Sequence, residues 1–188
     1  IIWDGKRKKI DLSDRNDIAT QIIYHEAGHA VISEILFPGS VTLVSAYNQQ
    51  GKRGGFTAYC NHSQNDPIKR EKGRVIVSLG GMAALEQRFG IMDGGNSRDL
   101  AQAFRKMNDL ITEFGVCGFS LHDSGYSNSE GLKERQEQVV ATEVERYYRK
   151  AKEILSINSE LFEKTANTLA EKRILTMKDI QTLKEKGA

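Results

Sequence analysis

A chain of 188 residues with 39% hydrophobic and 28% charged residues holds enough apolar material for a core, and its composition is not that of a disordered segment. A net charge of +2, from 27 basic and 25 acidic side chains, gives no electrostatic footprint for nucleic acid, and no nucleic-acid partner is expected. Two scattered cysteines, Cys60 and Cys117, exclude a disulfide framework and read as free thiols of a reducing compartment.

No stretch reaches the ~18 apolar residues of a membrane span and no signal peptide is visible, so the chain as covered is expected to be soluble. It opens at Ile1 without a methionine, as a piece of something longer would. Residues 1–16, with the basic run Lys6 to Lys9, read as a solvated lead-in or linker. Ser13 or Asp14 is a candidate cap for a first helix from about Asp17 to Leu36. There Ile18, Ile22, Ile23, Ala27, Ala30, Val31 and Ile35 recur at three and four and predict one buried face. Phe37-Pro38-Gly39 ends it. Val41 to Tyr47 and Gly54 to Cys60 read as the strands of a small hairpin or sheet turning at Asn48 to Arg53.

Asp66-Pro67 opens a second helix, predicted to run roughly from Pro67 to Phe89 and weakened by Gly80-Gly81 inside it, a pair that points to close approach by another backbone. Gly94-Gly95 precedes a third helix, Ser97 to Phe114, with Ser97 as its cap. Gly115 to Gly131, rich in glycine and serine, reads as a mobile loop. From Leu132 to Gly187 the pattern is helical in about three pieces, broken near Ile157-Asn158 and Arg173-Ile174. The fold class expected is α+β, mostly α-helical: a first helix carrying the chemistry, a small β-sheet and a C-terminal helical bundle.

The chemistry lies in His25-Glu26-Ala27-Gly28-His29, an H-E-x-x-H inside that first helix. Residues four apart share a helix face, so two imidazoles can grip one metal ion, and zinc is the metal that suits this donor set. Glu26, beside the first ligand, can reach a water on that metal and act as general base. A third protein ligand is required. Ile32 and Ile35 stand where a metzincin would carry glycine and histidine, which excludes that class. His62 and His122 sit in polar, loop-like segments. Glu86, near the end of the second helix, and Asp99, in the first turn of the third, both remain open on these grounds.

Tyr24-His25-Glu26-Ala27-Gly28-His29-Ala30-Val31 resembles the peptidase domain of the FtsH family of ATP-dependent zinc metalloproteases. Gly54-Gly55-Phe56-Thr57, Leu79-Gly80-Gly81-Met82-Ala83-Ala84, Gly94 to Leu100 and Met107 to Gly115 resemble family segments in the family's order, so the likeness covers about residues 18–186. It implies that Asp99 is the third zinc ligand rather than Glu86, with one zinc per chain. After the lead-in (1–16), residues 17–188 are expected to form one metallopeptidase domain, with a catalytic core (17–115), the mobile loop (116–131) and a helical extension (132–188).

The resemblance further implies an endopeptidase for unfolded or damaged polypeptides in protein quality control, working as a hexamer. ATP would act only through a module not present here, since no G-x-x-x-x-G-K-[ST] loop occurs in the chain. A membrane anchor would belong to the parent protein, with this domain on its cytoplasmic, reducing side. An extended substrate is expected to add to the Gly54 to Tyr59 edge. Departures from the family are Met82 in place of arginine, Leu85-Glu86 in place of two acids, and Gln49 to Arg53 in place of a Pro-Arg-Gly element. The rival reading from another class is a non-catalytic helical assembly or regulatory module.

Overall fold

The computed structural model describes residues 10–47, 53–60, 66–91, 97–119 and 129–185. Helix α1 (Ile18–Leu36) is capped by Asp17, whose carboxylate accepts the Thr20 amide at 3.0 Å. The expected caps Ser13 and Asp14 lie too far upstream to reach the first-turn amides, and Asp14 instead closes a turn onto the Asn16 amide. The stop at Phe37-Pro38-Gly39 falls where the sequence puts it: the Phe37 amide bonds the Ser33 carbonyl and Gly39 turns at φ 75°. The single buried face expected of α1 is corrected to burial almost all round from Ile23 to Glu34. The helix is the hub of the molecule, enclosed by the sheet and by four other helices, α2, α3, α5 and α6 in chain order.

The sheet has strand order β2-β1-β3, all antiparallel, with β1 (Val41–Tyr47) in the centre, β2 (Arg53–Tyr59) on one edge and β3 (Ile174–Thr176) on the other. Val44 pairs with Thr57 on one side and Leu175 on the other. The hairpin turn expected at Asn48 to Arg53 lies outside the described residues, Arg53 apart.

The second helix is two. Helix α2 (Pro67–Ser78), capped by Asp66, and helix α3 (Gly80–Phe89) meet at Leu79, where φ −87° and ψ −4° break the run. The break lets α3 lie along α1 while α2 packs on α4 (Ser97–Thr112). A Cβ on Gly28 would stand 2.5 Å from the Gly80 carbonyl oxygen and 2.6 Å from the Ala84 Cβ, so α1 and α3 meet backbone to backbone. This is the close approach that the paired glycines predicted. Gly90, at φ 67°, closes α3.

Helix α5 (Glu130–Ile157), helix α6 (Ser159–Lys172) and helix α7 (Met177–Glu185) follow, with breaks at the two places the sequence indicates. Much of the expected loop, 120–128, lies outside the described residues. Among the described residues no helix is long and apolar enough to cross a membrane. Arg173, left-handed at φ 66°, turns the chain from α6 into β3, and its carbonyl accepts the Ala46 amide at 2.9 Å. Next, Thr176 and Asp179 form a capping box at the start of α7. The Asp179 carboxylate accepts the Thr176 amide at 2.9 Å and the Thr176 hydroxyl at 2.7 Å.

The Lys172 ammonium and these Thr176 donors draw the Asp179 pKa down to about 2. A carboxyl depressed in the folded state stabilises above its unfolded value of about 3.9 and loses that contribution as pH falls toward its folded value. Asp179→Ala is therefore expected to cost about 1 kcal/mol in urea unfolding at pH 7. The gap from wild type should hold down to about pH 5 and narrow between about pH 4 and 2. A gap as wide at pH 3 as at pH 7 would show that the box is not what holds α7.

Candidate metal centre

Helix α1 projects His25 and His29 from one face, one turn apart, and α4 brings Asp99 to them from its first turn. Asp99 Oδ2 lies 3.0 Å from His25 Nε2 and 3.2 Å from His29 Nε2, and the two Nε2 atoms are 3.1 Å apart. Among the described residues these three form the one group of histidine, cysteine or acidic side chains close enough to hold a common ion, with donors within 4.8 Å of one another.

The trio is short of positive charge. His29 Nδ1 lies 2.7 Å from the Val77 carbonyl, which can only accept, so the ring proton sits on Nδ1 and the Nε2 lone pair faces Asp99. Burial opposes charging either group, yet the mutual contacts win. The two imidazoles beside it hold the Asp99 carboxyl well below the usual carboxylate range. Asp99, the Glu26 charge and the Val77 carbonyl together raise the His29 pKa. Three acceptors converging in a half-buried pocket fit a cation. Tetrahedral zinc with N and O ligands at about 2.0–2.2 Å needs donors roughly 3.3 Å apart, close to the spacing found.

Glu26, one residue after His25, points about 100° further round α1, toward β2. Its side chain is buried, and Oε2 accepts the Thr57 hydroxyl at 2.8 Å. Two glycines make the seats for these groups. A Cβ on Gly81 would stand 2.3–2.5 Å from the His25 ring, and one on Gly55 would stand 2.4–2.8 Å from the Glu26 side chain. A cleft runs past all of these groups, bordered by β2 on one side and by α2 and α4 on the other.

Glu86 is not brought to the histidines. It faces α5, where its carboxylate accepts the Tyr148 hydroxyl and, at 2.8 Å, the Lys152 ammonium. Lys152 first and Tyr148 second lower its pKa. It is thus neither beside the trio nor a merely solvated helix residue. His62, His122 and the Gly94-Gly95 break lie outside the described residues. Sequence reasoning missed the Val77 carbonyl, the Thr57 hydroxyl and the roles of Gly55 and Gly81. The Gly-aromatic-Thr string and the paired glycines were the available signals for all but Val77.

A helix with two histidines one turn apart, a carboxylate delivered to them and, alongside, the edge strand of the described sheet are the parts of a metalloprotease. Residues 12–183 match the family model described as Peptidase family M41, and the chain belongs to that family. Similar proteins include the "ATP-dependent zinc metalloprotease FtsH" of Thermus thermophilus, 28% identical over 98% of this chain and 32% of that protein. The protein of the same name in Bacillus subtilis is 26% identical over 97% of this chain and 31% of its own length. The one in Parabacteroides distasonis is 26% identical over 97% and 28%. The chain therefore spans about a third of the length of these relatives.

Gly81→Ala is expected to push the His25 ring off its seat and weaken zinc binding about tenfold or more, read by competition with a chromophoric chelator. Gly131→Ala, where a Cβ meets nothing within 4 Å, is the control and should bind zinc as wild type does. Equal affinity in the two variants would mean that His25 does not depend on that glycine.

Proposed function

We propose that this chain is the proteolytic module of an ATP-dependent zinc endopeptidase, with His25, His29 and Asp99 as the ligands of one zinc ion and Glu26 as general base. The observation that carries the reading is the convergence of three unneutralised donors beside a buried, oriented glutamate. Bound zinc would supply Lewis acidity toward a scissile carbonyl and lower the pKa of a water to about 7.

The remaining steps belong to this chain's own residues. Thr57 occupies Glu26 Oε2, while Oε1 has no protein hydrogen-bond partner among the described residues and is the oxygen left for a water. Glu26 takes the proton of the attacking water there and returns it to the departing amine nitrogen. Val77 holds the His29 ring with its Nε2 lone pair directed at the centre. An extended, unfolded polypeptide adds to the outer edge of β2, where backbone groups that β1 does not use can pair with it.

The relatives' names and their threefold greater length support ATP-driven delivery by a module outside this sequence. Homo-oligomeric assembly, hexameric as the resemblance implies, and a parent protein anchored at the cytoplasmic face of a membrane belong to the same proposal.

Glu26→Gln is expected to retain zinc and to lose at least about a thousandfold in hydrolysis of a casein-like unfolded chain. Asp99→Ala should lose the metal as His25→Ala and His29→Ala do, while Glu86→Ala keeps it. Near-normal cleavage by Glu26→Gln, or metal lost with Glu86 but not with Asp99, would overturn the assignment. A stably folded reporter, whose unfolding typically takes about 5–15 kcal/mol, should survive this chain with or without ATP. Its ATP-stimulated destruction by the 188-residue chain alone would reveal a nucleotide site of a kind the sequence does not show.

A further inference from the structure

Apart from the trio and Glu26, the described residues lining this cleft carry charge of one sign. Arg70 and Arg74 line it from α2, and Arg98 and Lys106 line it from α4. Among the described residues the only carboxylates lining it are Glu26 and Asp99, which a divalent metal would offset. Glu71 neutralises part of the α2 pair, at 3.0 Å from Arg74 Nη1 and 3.4 Å from Arg70 Nε. Arg98 and Lys106 have no ion pair with any described residue. The whole chain is only +2, so this excess is local to the cleft.

The cations are placed by helical periodicity relative to the candidate ligands. Asp99, Gln102 and Lys106 stand at i, i+3 and i+7 on α4 and share one face. Seven residues of helix advance roughly 10 Å, the reach of about three residues of extended chain. On α2, Arg70, Arg74, Val77 and Ser78 share a face in the same way, and Val77 is the residue bonded to His29. Arg74 lies roughly 4.5 Å along the helix from it. Ser33, Ser40 and Ser78 add hydroxyls to the lining.

Resting on the peptidase reading above, we infer that the cleft selects unfolded segments bearing acidic side chains within about three residues of the scissile bond. A substrate carboxylate on either side of that bond meets an arginine or lysine of α2 or α4, and a substrate lysine there meets repulsion. Exposed pairs contribute factors of up to about five each, so two or three together amount to about tenfold, weakening as salt screens them.

The test uses two labelled, quenched peptides identical except for glutamate or lysine at the second and third positions on both sides of one scissile bond. The glutamate peptide should show about tenfold higher kcat/KM at low salt, the ratio shrinking in 0.5 M NaCl. Arg98→Glu/Lys106→Glu should abolish or reverse the ratio. Because Arg98 adjoins Asp99, Lys106→Glu alone, with zinc content measured, serves where the double variant loses its metal. Equal cleavage of the two peptides by wild type, or an unchanged ratio in the variants, overturns the inference and leaves the peptidase assignment standing. Should wild type cleave neither peptide, that assignment fails, and anisotropy of the same peptides on Glu26→Gln protein decides the inference separately. Tighter binding of the glutamate peptide, lost with Lys106→Glu, supports it; equal binding overturns it.

Discussion

Between Gly28 and the Gly80 carbonyl there is no room for a side chain, and this contact governs how the other elements reach the site. With α3 held backbone to backbone against α1, the residue after Gly80 lies under the His25 ring, and only glycine leaves that ring a place. Three residues before Gly80, Val77 carries the carbonyl that fixes His29. A straight helix would have had to follow α3 along α1. The break at Leu79 lets α2 leave that line and reach α4, the helix bearing Asp99. Any side chain at Gly28 would separate α1 from α3 and disturb both histidines at once, an overpacking cost of about 1–3 kcal/mol even for a methyl group.

The electrostatics depend on elements further out. Asp99 meets the histidines because α4 is held rigidly behind it by Ala103, Met107, Leu110 and Ile111, all buried toward α2 and α5. Helix α5 in turn is fastened to α3 by Glu86, through Tyr148 and Lys152. An acid that takes no part in the trio thus helps to position one that does, since α5 supports α4. Holding the trio together without a cation leaves a carboxylate and two ring nitrogens facing one another in a poorly solvated pocket. That arrangement is costly unless a positive charge joins it.

What could be read beforehand was what is local along the chain. The pairing of His25 with His29 follows from helical spacing alone, and the strands, the α1 stop and the breaks near Asn158 and Arg173 follow from short-range pattern. Asp99 was legible only through the family resemblance, because two carboxylates in helices of similar character look alike until the helices are packed. The three-residue β3 was missed because it exists only as a partner of β1, some 130 residues earlier in the chain. Burial right round α1 was underestimated because periodicity reports apolar side chains. This helix buries Thr20, Glu26, His29, Ser33 and Glu34 as well, each with a hydrogen-bond partner. The Val77 carbonyl was invisible in principle, since a backbone atom carries no residue-type signature.

The strand β2 unites the two sides of the proposed chemistry. Residues two apart on a strand share a face, so Gly55 and Thr57 both turn toward α1, one leaving space for Glu26 and the other holding its Oε2. Among the described residues these same seven leave one backbone edge without a neighbouring strand, a feature that proteins usually shorten or cover because it invites strand addition. Here the open edge and the glutamate seat cannot be separated. Under the proposed function, a peptide pairing with β2 would be registered against the strand that holds Glu26, so its distance from that carboxylate would be fixed by ladder geometry rather than by its side chains. Such a device would accept many sequences through their common backbone, and discrimination among them would fall to the walls opposite, on α2 and α4, which carry Arg70, Arg74, Arg98 and Lys106.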